Sequence, residues 1–316
     1  MSQDLIVVQK GDPWEPPAII YDLPAEQYFG IEAASSHLLS AMVRQSPLHA
    51  KTEKPPTKAK DLGSLAHLMI LEPDRAATDV QVKPRNADRA SNAGKRALVG
   101  WMLEILKCPE PATTPGLAPG KALDEMLAVL EPMLATSDAF VATQQTFETA
   151  QRMRDSVFAK AIGRAIFEDG KAEVTMLAKD PETGVLCRIR ADWMPDGHWL
   201  MVDLKSAASV CYDEFAKAAG KYNYHIQAAF YRHVEALVSG VLKKKFLHVV
   251  VENVEPFDCA FYELDEVALD HGTRRYEQGL DLYARCMLAG YFPGVQWDWG
   301  VNDYRIESLQ LPKWAL

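Results

Sequence analysis

The sequence predicts an α/β fold, a mixed central sheet that contains a three-stranded antiparallel meander and is flanked by helices. Two observations carry this. Residues 171–207 hold three strand-like runs, KAEVTMLAKD, VLCRIRADWM and WLMVDLKSA, separated by the turn formers PETG and PDGH. Helical spacing prevails before them, over 35–73 and 124–166, and again after them, over 212–240 and 264–289.

Taken in order, Ser35 and Ser36 offer a cap for a helix through SSHLLSAMV. The pattern breaks in SPLHAKTEKPPTKAKDLG and resumes in SLAHLMILEP, which Pro73 closes. Residues 74–123 turn polar and then rich in Pro, Ala, Thr and Gly, which predicts a surface insertion or a loop over a functional site. Helical spacing then returns, interrupted at Pro132, with Glu168 and Asp169 ending the last helix before the meander. Beyond the meander, YDEFAKAAGKYNYHIQAAFYRHVEALVSG predicts one helix ended by Gly240, FLHVVVEN an apolar strand, and 264–289 a final long helix. No repeat is present, and residues 1–316 read as a single domain.

Composition narrows the function classes. A hydrophobic content of 48% over 316 residues supports a proper core. The formal net charge of -9 excludes nucleic-acid binding through the overall field, so a polyanion would need a local basic surface or a metal. Candidate basic stretches are KKK at 243–245 and KPRNADRASNAGKR at 83–96. The five cysteines form no C-x-x-C pair, which argues against a disulfide framework, a structural zinc or a cysteine-ligated cluster, and predicts reduced thiols. The start MSQDLIVVQKGDPW lacks the basic and apolar regions of a secretion signal, and no run reaches membrane-spanning length. A cytosolic protein is expected.

The chemistry concentrates in MVDLKSA. Side chains two apart on a strand share a face, so Asp203 and Lys205 project together. A four-residue turn at PETG sets Glu173 opposite Asp192, and a turn centred on Asp196–Gly197 sets Asp192 opposite Met201. Glu173, Asp192, Asp203 and Lys205 would then project from one side of the sheet, provided the register does not slip by one residue. Close carboxylates repel unless a cation sits among them, and oxygen-rich clusters suit Mg²⁺ or Mn²⁺. A neighbouring lysine can position or deprotonate a water, or neutralise charge on a phosphoryl group.

This arrangement resembles the PD-(D/E)xK nuclease superfamily, whose core is a helix, a three-stranded meander, a helix and a further strand. More closely it resembles the RecE-type phage and prophage exonucleases, exodeoxyribonuclease VIII and its relatives. The segments that carry the resemblance are SSHLLSAMVRQSPLHAKT with LGSLAHLMILEP, GKAEVTMLAKDPETGVLCRIRADWM, MVDLKSA, YNYHIQAAFY and LQLPKW, in that order. The resemblance implies metal ligation by His67, Asp192, Asp203 and the backbone carbonyl of Leu204, with Glu173 a further acidic member and Lys205 the catalytic lysine. It also implies that Gln227 and Tyr231 form the Q-x-x-x-Y pair, which i,i+4 spacing places on one helical face. The third motif carries Asp where the family also allows Glu.

Read without the family, His67 in its apolar helix would be a core histidine. Asp196 spells a literal Pro-Asp, yet Pro-Asp-Gly reads as a turn, so Asp192 is the expected ligand. Tyr224 and His225 are candidates either for DNA contact or for the core. The implied activity is a Mg²⁺-dependent double-strand exonuclease, 5′ to 3′, that leaves 5′-phosphate nucleotides and a 3′ single strand for recombination. A structure-specific or restriction-like endonuclease and a silent DNA-end-binding module are the alternatives. The resemblance further implies DNA ends as substrate, a RecT-like annealing partner, a cyclic trimer or tetramer, and a phage or prophage origin in a bacterial cytoplasm.

Overall fold

A seven-stranded sheet runs through the computed structural model, which describes residues 7–8, 14–52, 60–137, 139–197, 200–240 and 245–311. The chain enters through β1 (Val7–Val8) and β2 (Ala18–Ile20), then α1 (Ala25–Gly30), α2 (Ser36–Arg44), α3 (Pro47–Lys51), α4 (Lys60–Leu71) and α5 (Pro73–Asp79). Next come β3 (Val80–Lys83), α6 (Asn92–Leu106), α7 (Pro119–Ala135), β4 (Phe140–Thr143), α8 (Gln144–Ala159) and α9 (Ala161–Phe167). The expected meander follows as β5 (Gly170–Lys179), β6 (Leu186–Pro195) and β7 (Leu200–Ala207). After it stand α10 (Tyr212–Tyr222), α11 (Tyr224–Ser239), β8 (Lys245–Glu252), β9 (Cys259–Glu263), α12 (Glu266–Ala289) and a short hairpin, β10 (Trp297–Asp298) with β11 (Asp303–Tyr304).

The sheet order is β1-β2-β5-β6-β7-β8-β9, with β1–β2 and β7–β8 parallel and the other pairs antiparallel. Both faces are covered. On one, Met176, Ile189 and Met201 pack with Leu39 of α2, Phe230 of α11 and Leu280 of α12. On the other, Val202, Leu204 and Val249 pack with Leu65 and Met69 of α4 and Met153 of α8. Each such side chain stabilises the fold by about 1.5–3 kcal/mol relative to its exposed state.

Several elements differ from expectation. The helix through SLAHLMIL ends at Leu71 as expected, but Pro73 also begins α5, where its missing N–H costs nothing. Residues 74–123 carry α5, β3, α6 and the start of α7 instead of one long loop, and α6 and α7 pack Leu98, Met102, Leu127 and Leu130 into a small core of their own. Residues 212–240 form two helices, broken at Asn223, whose φ of 60° lies in the left-handed region. The Ser35 cap forms as read, its hydroxyl accepting from Leu38 N. Gly240 ends α11 as expected.

The register of the meander positions the site. β5 and β6 pair as the PETG turn dictates, Ala172 with Trp193 and Val174 with Ala191. β6 and β7 pair through Trp193 and Val202, two residues beyond the predicted register, because the connection is wider than a two-residue turn. Asp192 therefore lies across from Asp203 rather than Met201. A two-residue shift by itself keeps the alternation of the strands, but the expected single face is not met: Glu173 opens to a groove with His67, whereas Lys205 opens to a groove with Gln227 on the other side.

One local feature breaks the alternation. Glu173 has φ 51°, uncommon for a residue other than glycine, asparagine or aspartate and costing about 1–3 kcal/mol. Across this point Ala172 and Trp193 pack on the α4 side, whereas Val174 and Ala191 pack on the α11 side. Both strands thus turn over at Glu173 and Asp192, and these carboxyls emerge at the turning point.

The helices that cover this region meet tightly. A Cβ on Gly272 of α12 would lie 2.1 Å from the carbonyl oxygen of His225 in α11, while one on Gly220 of α10 would meet nothing within 4 Å. Gly272→Ala should destabilise the protein by about 1–3 kcal/mol in urea unfolding. Gly220→Ala should stabilise it by about 0.5–1 kcal/mol.

Candidate metal centre

Strands β6 and β7 splay beyond Trp193, and the Asp192 side chain takes over from the ladder. Its Oδ2 accepts the Leu204 N–H at 2.8 Å. A strand residue directs its N–H and C=O to the same edge, so strand geometry sets the Leu204 carbonyl toward this gap as well. Helix α4 buries Leu65, Ala66, Met69 and Ile70 against the sheet, and His67 lies on the flank of that stripe. Its Nδ1 stands 3.9 Å from Asp192 Oδ2, with 30% of the side chain exposed. His67 is therefore not a core histidine.

His67, Glu173 and Asp192 each offer a ligand atom, all within 4.8 Å of one another. Glu173 also takes Arg190 Nε at 2.7 Å, and the Arg190 guanidinium lies 4.6 Å from the Tyr28 ring centre. Burial first, and the Asp192 charge second, push the Glu173 carboxyl up to about 7 against the opposing pull of Arg190. Burial, followed by the charge of Asp203, likewise raises Asp192, although His67 and Lys205 oppose it. An imidazole and two carboxyls that resist ionisation fit a divalent cation, which would satisfy both negative charges at once.

Asp203 stands beside this trio, with its oxygens already engaged. Lys205 Nζ lies 2.7 Å away, Gln227 Nε2 donates at 2.8 Å, and His248 Nδ1 bonds the second oxygen at 3.1 Å. Burial works against its charge, but Lys205 and His248 outweigh it and hold Asp203 well below the usual carboxylate range. Burial likewise disfavours the Lys205 ammonium, yet Asp203 and Asp192 overcome it and raise its pKa. Tyr231, one turn beyond Gln227, hydrogen-bonds that residue and packs edge-on against Phe246. The Q-x-x-x-Y pair thus buttresses Asp203 from α11. The expected residues are gathered in one place, divided into a His67–Glu173–Asp192 trio able to hold a metal ion and an Asp203–Lys205 pair.

The site opens on both sides of the splayed strands. One groove, of about 950 Å³, is lined by His67, Glu173, Arg190 and Ser206. The other, of about 410 Å³, is lined by Lys205, Gln227, Tyr224 and residues of α2.

Two residues escaped the sequence reading. His248 is paired with Asp203 across parallel strands joined by a long crossover, so no turn fixes that register from sequence. Arg190 was legible, since i,i+2 spacing places it on the Asp192 face. Asp196 lies exposed at the hairpin tip, outside the ligand trio. Of the basic stretches, Arg85, Arg89 and Lys95 pair with Glu148, Glu131 and Asp124 at 3.3, 2.8 and 2.7 Å. Lys245 pairs with Glu263 at 3.1 Å, and residues 243 and 244 lie outside the described residues. Leu309–Leu311 of LQLPKW are exposed, and its remaining residues lie outside the described ones.

Residues 40–295 match a family described as a PDDEXK-like domain of unknown function (DUF3799). Among solved structures, a candidate exonuclease from Eubacterium rectale is 14% identical, with 92% of this chain and 96% of that one aligned at a TM-score of 0.51. A phage-related exonuclease from Haemophilus somnus 129PT is 15% identical over 61% of this chain and 95% of that one, with a TM-score of 0.29. At 14% identity, the Eubacterium likeness is one of fold. No curated protein matches the chain. No helix among the described residues is long and apolar enough to cross a membrane.

The raised Glu173 carboxyl has a defined effect on stability. The unfolded chain ionises Glu173 near the ordinary value of 4.5, but the folded protein does so only near 7, so folding loses stability as pH rises through that window. Above it the loss is constant. In EDTA, Glu173→Gln should gain melting temperature over the parent at pH 8 relative to pH 5. A divalent cation should raise the parent more than the variant at pH 8, as read by thermal denaturation.

Proposed function

The chain belongs to the PDDEXK-like family, and from that premise we propose that it is a divalent-cation-dependent deoxyribonuclease acting as an exonuclease on linear duplex DNA. The observation that carries this reading is the adjacency of the His67, Glu173 and Asp192 trio to the Asp203–Lys205 pair, where the β6–β7 ladder ends at Trp193 and Val202. Digestion from 5′ to 3′, 5′-phosphate products and a 3′ strand destined for recombination rest on the RecE-type resemblance. So do a cyclic trimer or tetramer, a RecT-like partner and a bacterial cytoplasm.

His67, Asp192 and Glu173 would hold Mg²⁺ or Mn²⁺, with the Leu204 carbonyl facing the same gap and Asp203 completing the acidic set. When bound, the cation supplies positive charge at the phosphodiester and makes an attacking water more acidic. Lys205 stays an ammonium between Asp203 and Asp192, so it acts by charge and hydrogen bonding at a phosphoryl oxygen or the attacking water. Gln227 and His248 fix the Asp203 carboxylate, and through it the ammonium. Arg190 neutralises part of the Glu173 charge, and Tyr28 limits where the guanidinium can swing.

Two experiments test the reading. With linear duplex labelled at either end, the parent protein should release nucleotides from the 5′ end in Mg²⁺, leave closed circles intact and be silent in EDTA. Asp192→Ala and Lys205→Ala should each lose at least about a hundredfold in rate while melting as folded proteins, and Asp196→Ala should keep its activity. Nicking of closed circles would instead favour an endonuclease. In the second experiment, His67→Ala should shift half-maximal activity to higher Mg²⁺. An unchanged metal curve would remove His67 from the ligand set.

A further inference from the structure

Tyr222 and Tyr224 lie two apart and would point to opposite sides of a continuous helix. They do not, because Asn223 between them takes a φ of 60° and separates α10 from α11. Their rings stack, with centroids 6.0 Å apart and planes 26° apart. Asn223 is pinned by a 2.8 Å bond from Nδ2 to Ser40 Oγ, and Arg44 Nη1 holds the Lys221 carbonyl at 2.9 Å. Both bonds tie this break to α2.

The inner ring belongs to the reaction site. Lys205 Nζ lies 5.0 Å from the Tyr224 ring centre, and Tyr224 packs against His248, itself bonded to Asp203. Phe215 supports the same ring from behind at 5.9 Å. The outer ring, Tyr222, is 58% exposed and lines the groove that also holds Lys205 and Gln227. Lys221 Nζ stands 5.2 Å from it, on an exposed side chain whose ammonium can transfer to a phosphate. An exposed aromatic ring backed by a fixed one, beside a cationic groove, is the arrangement on which nucleobases stack irrespective of sequence.

We propose that Tyr222, seated on Tyr224, is a nucleobase platform. It stacks the base of a nucleotide flanking the phosphodiester at Lys205, and so requires that base to be unpaired. The proposal rests on the nuclease reading above. Tyr222 is a substrate-positioning contact outside the ligand set.

The test measures kcat and KM on linear duplexes whose first phosphodiester is flanked by intact nucleotides or by an abasic one on either side, in separate substrates. The parent should lose roughly 5- to 150-fold in kcat/KM when the stacked base is removed, the range that alanine substitution of stacking residues gives. Tyr222→Ala should suffer a similar loss on intact DNA, mainly through KM, and no further loss on the abasic substrate. Tyr222→Phe should behave as the parent, since the ring rather than the hydroxyl stacks. A Tyr222→Ala enzyme within twofold of the parent, with the same abasic dependence, would overturn the platform and leave the nuclease reading standing. A parent protein that cleaves no DNA would overturn both.

Discussion

A carboxylate only 2% exposed in the middle of a sheet is the constraint around which this fold is arranged. Asp203 sits between two packed layers, and an unpaired charge there would be strongly destabilising. Three different elements answer it: Lys205 from the same strand, His248 from the parallel neighbour and Gln227 from the covering helix. A carboxylate only accepts hydrogen bonds, so His248 Nδ1 donates, while its Nε2 has no hydrogen-bond partner among the described residues and lies against aromatic rings. Pairing Asp203 in this way ties β7, β8 and α11 into one unit, and places the ammonium of Lys205 at a fixed point.

The second acidic group solves the same problem differently. Asp192 and Glu173 have fewer donors and sit where β5 and β6 turn over, with Glu173 lining the larger groove. Their charges are only partly compensated, by Arg190, His67 and one backbone N–H. The contrast separates the roles. Asp203 is satisfied within the protein and holds Lys205, whereas the Asp192 and Glu173 carboxyls remain in deficit and have capacity for a cation. The left-handed Glu173 backbone fits this division, because strain of that kind persists where surrounding structure over-determines it.

How much of this was legible follows from what fixes each pairing. The β5–β6 register came out right because a four-residue turn with a glycine leaves little freedom, and with it came the Glu173–Asp192 neighbourhood. The β6–β7 register was two residues off, which alone preserves strand parity, but the left-handed Glu173 turns the strands over and puts Glu173 and Lys205 on opposite sides, which no periodicity argument predicts. His248 was invisible because a parallel partner arrives after a helical crossover. The α6–α7 hairpin was hidden by the proline- and glycine-rich connection between its helices, although Leu98, Met102 and Ile105 keep helical spacing. The break at Asn223 carries no proline, and asparagine's tolerance of the left-handed region was its only signal.

On the proposed function, an acidic chain must present a site for a polyanion, and its charge arrangement bears on how. Of the basic residues between 83 and 96, Arg85, Arg89 and Lys95 each stand within 3.3 Å of a carboxylate. Such exposed pairs add little stability, about 0–1 kcal/mol each, but at distances beyond about 8–10 Å they cancel as sources of attraction. With a formal net charge of -9, the far field repels DNA. If the chain acts on DNA as proposed, attraction would have to arise at short range, from Lys205 and Arg44 lining one groove and from any cation held by His67, Glu173 and Asp192 beside the other. A cation held there would let Glu173 and Asp192 ionise and would itself carry the positive charge that a phosphate can approach, so on the proposed reading it would serve binding as well as chemistry.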